Sequence, residues 1–234
     1  KKYLPAEMHP WMTRKTTKRT VMTIPYNATR SSSWGYIKEA LLQQGFEPEK
    51  EQVSQVVEAV YLSMDAIVPG PMRVMRWIKT HVGQYIRSGA DHVEWTTPSG
   101  FVVNQKRNVK ETERMELQLL GATKVTVTVG EGNPCPTRHK SSTAPNLIHS
   151  LDASILHETF QRFNGPFTVI HDSVLCRATD MGTLNQLVRE TYTDIFTRDC
   201  WLSKFGEAIN AAEPPPIVGT LDPEVVEDST YFFC

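Results

Sequence analysis

Apolar residues recur at helical spacing through the first third of the chain. This period predicts one short basic helix and three amphipathic helices, at about residues 12–24, 33–44, 49–66 and 71–88. The Pro-Gly-Pro run at 69–71 predicts a break before the last of them. Pro25 disfavours helical backbone at Ile24, so we expect the basic helix to end just before Tyr26.

Shorter β-type runs and two longer helical patterns follow. Strands are predicted at about 93–95, 101–104 and 124–129. A segment rich in Gly, Pro and Thr at 130–142 predicts a loop, and helices are expected at about 146–163 and 183–205. Three consecutive prolines at 214–216 then predict the start of an extended tail.

The stretch 167–176 has an apolar strand, a polar His-Asp-Ser tip and a second apolar strand. It predicts a β-hairpin with Asp172 on its turn. Aspartate is common in turns for conformational reasons alone. A carboxylate held on a rigid turn can also bind a metal ion, which is the hypothesis for Asp172.

Cations are stacked on one face of the basic helix. Arg14, Lys18 and Met22 are four residues apart, so they share a helical face on which two cations can grip a triphosphate. Phosphoryl transfer needs such neutralisation of developing charge. Arg19 points to another face of the helix, and the sequence does not decide whether it would contact the phosphates or a template strand. The alternative for the whole stretch is a solvated surface.

Composition limits the classes of protein. The 234 residues are 40% hydrophobic and 22% charged with a net charge of −1, which is ordinary for a globular chain. Residues 1–30 hold seven Lys/Arg against one Glu, so a local basic patch would carry any nucleic-acid contact. The four cysteines lack C-x-x-C spacing, which argues against zinc and disulfides and suits a reducing cytosol. No apolar run is long enough to cross a membrane.

Several motifs occur together along the chain: Lys18, Arg19, Met22, Thr23 and Tyr26, the loop 97–101, the run 144–146 with His149, Ser150 and Asp152, and the tip 171–173. In this order they resemble the C-terminal part of phage-type, single-subunit DNA-dependent RNA polymerases, the group that includes mitochondrial and chloroplast enzymes. The resemblance implies an α+β right-hand polymerase fold, with helical fingers and part of an antiparallel-sheet palm. It implies fingers at 1–145 and C-terminal palm at 146–234.

The resemblance also implies roles for these residues in two-metal transfer of nucleotides from NTPs to RNA 3′ ends. Asp172 would bind Mg²⁺, while Arg14 and Lys18 would contact the nucleotide phosphates and Met22 would complete that face. Tyr26 would stack near the sugar and read the 2′-hydroxyl, because a phenol can form a hydrogen bond there.

Two histidines would contact nucleic acid. His149 would face the minor groove of the growing hybrid, and His171 would touch the RNA 3′ end or orient Asp172. Beside Tyr26, Asn27 stands where the family commonly has Gly; Asn tolerates the left-handed backbone conformation better than most residues, so it can replace Gly in that turn.

A two-metal site needs a second carboxylate, which in the family lies on a strand upstream of the basic helix. Asp65, Asp91 and Asp152 lie in other surroundings. We therefore expect a second polymerase chain or segment to carry it, as in a heterodimeric split polymerase. A fragment of a longer protein and a non-catalytic nucleic-acid-binding accessory subunit are the alternatives.

A family A DNA polymerase fragment is a further alternative, against which Ser173 and the Met-Thr-x-x-Tyr ending argue. Expected partners are a DNA template, the RNA product and NTPs, in the cytoplasm of an infected bacterium for a phage protein, with an organelle left open. The aromatic end at 231–234 resembles a family tail that folds toward the active site, so extension beyond Cys234 is expected to lower activity.

Overall fold

The computed structural model describes residues 2–118, 123–217 and 219–232. The chain forms two compact units, one from 1–78 and 216–219 and the other from 79–215 and 220–234. The helices are α1 (Arg14–Thr23), α2 (Arg30–Leu42), α3 (Lys50–Ile67), α4 (Pro69–Arg87), α5 (Pro136–Arg162), α6 (Met181–Arg198) and α7 (Trp201–Ala208). The strands are β1 (Val93–Thr96), β2 (Val102–Gln105), β3 (Asn108–Leu117), β4 (Thr123–Pro134), β5 (Phe167–Ile170) and β6 (Ser173–Cys176).

Helix α1 begins and ends where its local sequence predicts. Thr13 caps it, because the Thr13 hydroxyl accepts from the Thr16 amide while the Thr16 hydroxyl accepts from the Thr13 amide. Its last helical residue before the Ile24 cap is Thr23, which confirms the expected end ahead of Tyr26. The expectation that Pro25 moves Ile24 out of helical backbone is wrong, because Ile24 has φ of −58° and ψ of −48°; Pro25 instead interrupts the helix by lacking an amide donor. Asn27 has φ of 65°, so the predicted left-handed position is confirmed as well.

The first unit is built by packing α1, α2 and α3 against one another. Helix α1 contributes the buried side chains of Thr16 and Thr20. The buried apolar core comes from α2, α3 and the segments that flank α1, and includes Met8, Ile24, Ile37, Leu41, Val53, Val56 and Val60. The Tyr61 hydroxyl donates to the Ala28 carbonyl over 3.0 Å, which ties α3 to the turn that follows Asn27. The break between α3 and α4 lies at Val68, and Pro69 opens α4 in the position where a missing amide costs least.

In the second unit, β1 and β2 form a hairpin around the loop 97–101, as predicted. Gly100 has φ of 84°, and the Thr97 amide donates to the Phe101 carbonyl over 2.8 Å. The Trp95 indole donates to the Ser150 hydroxyl over 3.0 Å, and the Trp201 indole donates to the Thr96 carbonyl over 3.3 Å. These bonds hold the hairpin against α5 and α7.

Three expectations for this unit are wrong. The segment 130–142 is not a loop, because β4 continues to Pro134 and α5 begins at Pro136, ten residues before the expected start. Strand β3 pairs antiparallel with β4 but was missed, because its charged residues leave no clear apolar face. The helix expected at 183–205 is two helices that end and begin on either side of 199–200.

The expected boundary between fingers and palm at 145/146 falls inside α5, since Pro145 lies in the helix interior. The compact units instead divide at 78/79. A compact unit and a functional subdomain are different divisions of a chain, so the fingers and palm ranges stay a prediction.

The C-terminal tail is held on α6 by Arg189, whose surface is 7% exposed. Its guanidinium donates to the carbonyls of Val226 and Ser229, the latter over 2.7 Å, and lies 5.6 Å from the centroid of the Phe232 ring. Phe232 also packs edge-on against Tyr192, with ring centroids 4.9 Å apart. Phe233 and Cys234 lie outside the described residues, so the effect of extending the chain stays a prediction.

Among the residues that the structure describes, helices long and apolar enough to cross a bilayer are absent.

Candidate nucleotide and metal site

The cationic face of α1 is open to solvent. Arg14, Lys18 and Met22 are all exposed, Met22 to 57%, whereas Thr16 and Thr20 are buried on the opposite side. Within the described ranges, neither Arg14 nor Lys18 forms an ion pair. The predicted shared face is therefore confirmed as geometry, and its two cations are available to an anion such as a triphosphate.

Arg19 points toward α2, away from that face. Its guanidinium pairs with Glu39 over 3.0 Å and lies 4.0 Å from the centroid of the Tyr36 ring. Both contacts are on an exposed surface, so the pair contributes little stability. Arginine has five N–H donors, which leaves room for a phosphate beside Glu39. A role for Arg19 in nucleotide binding stays a prediction.

Tyr26 lies in the turn directly after α1. Its amide donates to the Thr23 carbonyl over 3.1 Å, and the side chain is 41% exposed. The turn keeps the tyrosine next to the end of the cationic face despite Pro25. A ring in this position presents both an apolar face and a hydroxyl to a ligand.

The second unit contains the predicted hairpin, although Ser173 belongs to β6 and not to the tip. Ile170 pairs with Ser173, so His171 and Asp172 form a two-residue turn. His171 has φ of 57°, an uncommon conformation for a residue other than Gly, in which His is enriched. Asp172 is exposed at the tip. The turn therefore displays its carboxylate on two paired strands.

Helix α5 brings polar groups to the same region. His149 and Asp152 are three residues apart, so they share a face of the helix. The pKa of the Asp152 carboxyl is raised by partial burial, lowered to a smaller extent by His149 and raised again by Asp172. Although Asp152 lies on the exposed side of α5, it is thus within electrostatic reach of the hairpin tip.

The sequence did not predict that Asp152 lies near Asp172, because Asp152 was excluded there as the second metal-binding carboxylate. Its three-residue spacing from His149 was the signal that placed it on the same helical face as a predicted functional residue. In the described part of the chain there is no group of three or more His, Cys, Asp or Glu side chains that could hold a metal. Mg²⁺ is bound through one or two carboxylates plus phosphates and water, so Asp172 fits part of such a site and does not complete it.

A buried polar network fixes the first half of α5 against β2. The Gln105 amide donates to the Thr143 hydroxyl over 2.9 Å and lies 3.3 Å from Nδ1 of His139, while Asn146 donates to the Gln105 carbonyl oxygen over 2.7 Å. Burial lowers the pKa of His139, and the charge of Arg107 lowers it further, so both favour the neutral ring. The network orients the helix that carries His149 one turn later.

Comparison with known proteins identifies the family. A sequence model of the family described as DNA-dependent RNA polymerase matches residues 3–213. The DNA-directed RNA polymerase of Pseudomonas phage phiKMV is 26% identical over 95% of this chain and 28% of its own length. DNA-directed RNA polymerase 2, chloroplastic/mitochondrial, of Arabidopsis thaliana is 31% identical over 94% of this chain and 23% of its own length.

DNA-directed RNA polymerase 2A of Nicotiana tabacum is 30% identical over 94% of this chain and 69% of its own length. The chain thus spans about a quarter of the phage and Arabidopsis relatives, which are longer than it is. It corresponds to their C-terminal part, and its mixed helices and antiparallel strands agree with the α+β polymerase fold. This chain belongs to the phage-type, single-subunit family of DNA-dependent RNA polymerases.

Proposed function

We propose that this chain supplies the fingers and the C-terminal palm of an RNA polymerase that transfers nucleotides from NTPs to RNA 3′ ends on a DNA template. The observation that carries the proposal is the exposed cationic face of α1, which ends at a tyrosine in a tight turn. Arg14 and Lys18 bind the triphosphate, and Met22 and Tyr26 hold the sugar and base beside them. Family membership sets aside the family A DNA polymerase alternative.

Asp172 is the metal ligand in this proposal, because its carboxylate is exposed on a paired turn. Mg²⁺, when bound, neutralises charge on the transferring phosphoryl group and orients the attacking and leaving oxygens. His171 orients the carboxylate or touches the RNA 3′ end, and His149 contacts the hybrid. The left-handed backbone at His171 supports a functional turn, since such conformations cluster at functional sites.

Lys18→Gln is expected to weaken nucleotide binding by roughly tenfold, the effect of losing one charged contact of about 1.5 kcal/mol. The measurement is a titration with Mg²⁺-ATP in which the displacement of a bound fluorescent nucleotide analogue reports the affinity. Lys15→Gln is the matched control, since Lys15 is exposed on the same helix but outside the Arg14 and Lys18 face.

Equal nucleotide affinities for Lys18→Gln and Lys15→Gln would contradict the proposed role of α1. Salt-sensitive DNA binding without any nucleotide dependence would instead support the non-catalytic accessory subunit. The two functions are therefore separated by one titration series.

We further propose that another chain or segment bearing a second catalytic aspartate packs against the β5–β6 hairpin. Ile170 is 60% exposed and Leu175 is 56% exposed, and the pairing of Thr168 with Leu175 places both on the same face of the hairpin. Strands in a palm sheet bury such residues, and a two-stranded hairpin is marginal alone. The added segment would cover these side chains and place its aspartate near Asp172.

Native mass spectrometry of the protein purified from its source tests this completion. The expected result is a longer form or a stoichiometric second chain that carries an aspartate on a predicted strand. A lone species of 26.5 kDa that extends primed RNA would contradict the need for one.

A further inference from the structure

Two lysines lie within electrostatic reach of each other where the start of α5 contacts α4. Lys79 is half-buried on α4, and Lys140 is half-buried in the second turn of α5. The methylene chain of Lys140 lies against Gly83, one helical turn after Lys79. A Cβ at position 83 would stand 2.7 Å from Cδ of Lys140, so any larger residue there would displace the Lys140 chain. We call Lys79 and Lys140 the α4–α5 lysine pair.

The charges of this pair are not neutralised by the protein. The pKa of Lys79 is lowered by partial burial and further by the charge of Lys140. In the described ranges, no carboxylate pairs with either ammonium group. Like charges held together in a half-buried position oppose folding, and an anion between them would remove that repulsion.

Neighbouring cations add to the positive potential at the start of α5. Arg107 donates to the Ser142 hydroxyl over 3.1 Å, and Arg138 donates to the Asn108 carbonyl over 2.8 Å, so both guanidinium groups bond to neutral oxygens. The first turn of α5 contains no acidic residue. A nearby carboxylate, that of Glu131, accepts from the Asn108 side chain over 3.3 Å. An anionic ligand at the start of α5 would therefore meet several cations beside one carboxylate that is already hydrogen-bonded.

We propose that the α4–α5 lysine pair binds a backbone phosphate of a nucleic-acid strand. The choice of nucleic acid rests on the proposed function, while the anion specificity rests on the two ammonium groups. Lysine acts on phosphate as a flexible point charge, and two of them can share one phosphodiester. Arg107 and Arg138 extend the positive surface for adjacent phosphates. This site is separate from the triphosphate face of α1.

The test is fluorescence anisotropy of a 20-nucleotide single-stranded DNA between 50 mM and 500 mM salt, with Lys79→Gln, Lys140→Gln and the wild type. Because the two lysines share one phosphate, each substitution is expected to reduce the slope of log affinity against log salt by about half of the roughly 0.7 that one neutralised phosphate contributes on a single strand. A slope change of that size corresponds to about a twofold loss of affinity at 0.1 M salt when the affinities extrapolated to 1 M salt are equal. Lys50→Gln, at an exposed lysine that begins α3, is the charge-matched control.

Gly83→Ala provides a variant of unchanged charge. Ala is a better helix former than Gly, so α4 is expected to stay folded, while the new methyl displaces the chain of Lys140. We expect at least a twofold loss of DNA affinity from this displacement. The same measurement with an RNA 20-mer tests whether the site distinguishes DNA from RNA. Equal losses of affinity for the two strands would indicate that the lysines contact the phosphodiester group that both share.

Wild-type affinity in Gly83→Ala, together with Lys79→Gln and Lys140→Gln losses no larger than that of Lys50→Gln, would overturn the lysine-pair site. That result would leave the proposed function intact, because the Lys18→Gln nucleotide titration uses different residues. A wild type that binds neither DNA nor RNA would also overturn the lysine-pair site, whereas the proposed function stands or falls with the Lys18→Gln nucleotide titration.

Discussion

Replacing Asp172 by Asn is expected to lower RNA extension by at least about 10³-fold, the effect of several kcal/mol of lost metal-ion stabilisation. The amide keeps the size of the side chain but removes the negative charge that a hard divalent cation needs. The measurement is primed extension with Mg²⁺ and NTPs, using the protein from its source with any chain that copurifies. Nucleotide affinity, measured separately, should change far less than the rate.

The same substitution should leave folding intact. Asp172 is exposed on a turn closed by the Ile170 and Ser173 pair, so the free energy of unfolding should stay within about 0.5 kcal/mol of the wild-type value. Asp228→Asn, an exposed carboxylate in the tail, is the control and should extend RNA normally. Extension by Asp172→Asn at the control rate would remove Asp172 from the metal site.

Replacing Tyr26 by Phe is expected to reduce the preference for ribonucleotides over deoxyribonucleotides by roughly 10- to 100-fold, as the loss of one buried hydrogen bond predicts. The ring remains, so stacking and the turn after α1 should persist. The quantity to measure is the ratio of kcat/KM for ATP and dATP. Its change should come from slower use of ATP, which loses the hydrogen bond to its 2′-hydroxyl, and from faster use of dATP, because Phe leaves no phenol hydroxyl unpaired beside the deoxyribose.

Tyr3→Phe is the control, because Tyr3 is also exposed in the first unit but lies before α1. It should keep the wild-type ratio. A Tyr26→Phe enzyme that keeps full ribose preference would show that the hydroxyl does not read the sugar. Pro25, which ends α1 ahead of the tyrosine, would then be the physical reason for a displaced ring.

Local sequence was sufficient for the elements that carry the predicted chemistry. Four-residue spacing and a threonine cap specify α1, and Pro25 specifies its end. Apolar runs on either side of His171 and Asp172 specify the hairpin, since a two-residue turn sets the register of both strands. Each of these signals acts over fewer than about a dozen residues, which is the range of turn and capping chemistry.

Local sequence gave wrong predictions where the same residues are compatible with more than one secondary structure. Proline usually ends a helix. Pro136, however, occupies the first position of α5, where the backbone N–H would have no hydrogen-bond partner within the helix, and Pro145 lies in the interior of α5. Strand β3 has charges along its length, so only its pairing with β4 identifies it. Packing and pairing decided these elements against their local preference.

Tertiary structure alone decided which distant residues meet. Asp152 comes within electrostatic reach of Asp172 only because α5 and the hairpin belong to one compact unit. The bond from Asn146 to Gln105 and the contact of Lys140 with Gly83 join residues more than forty positions apart. No periodicity or turn signal spans such separations, because these contacts depend on how whole helices and strands pack.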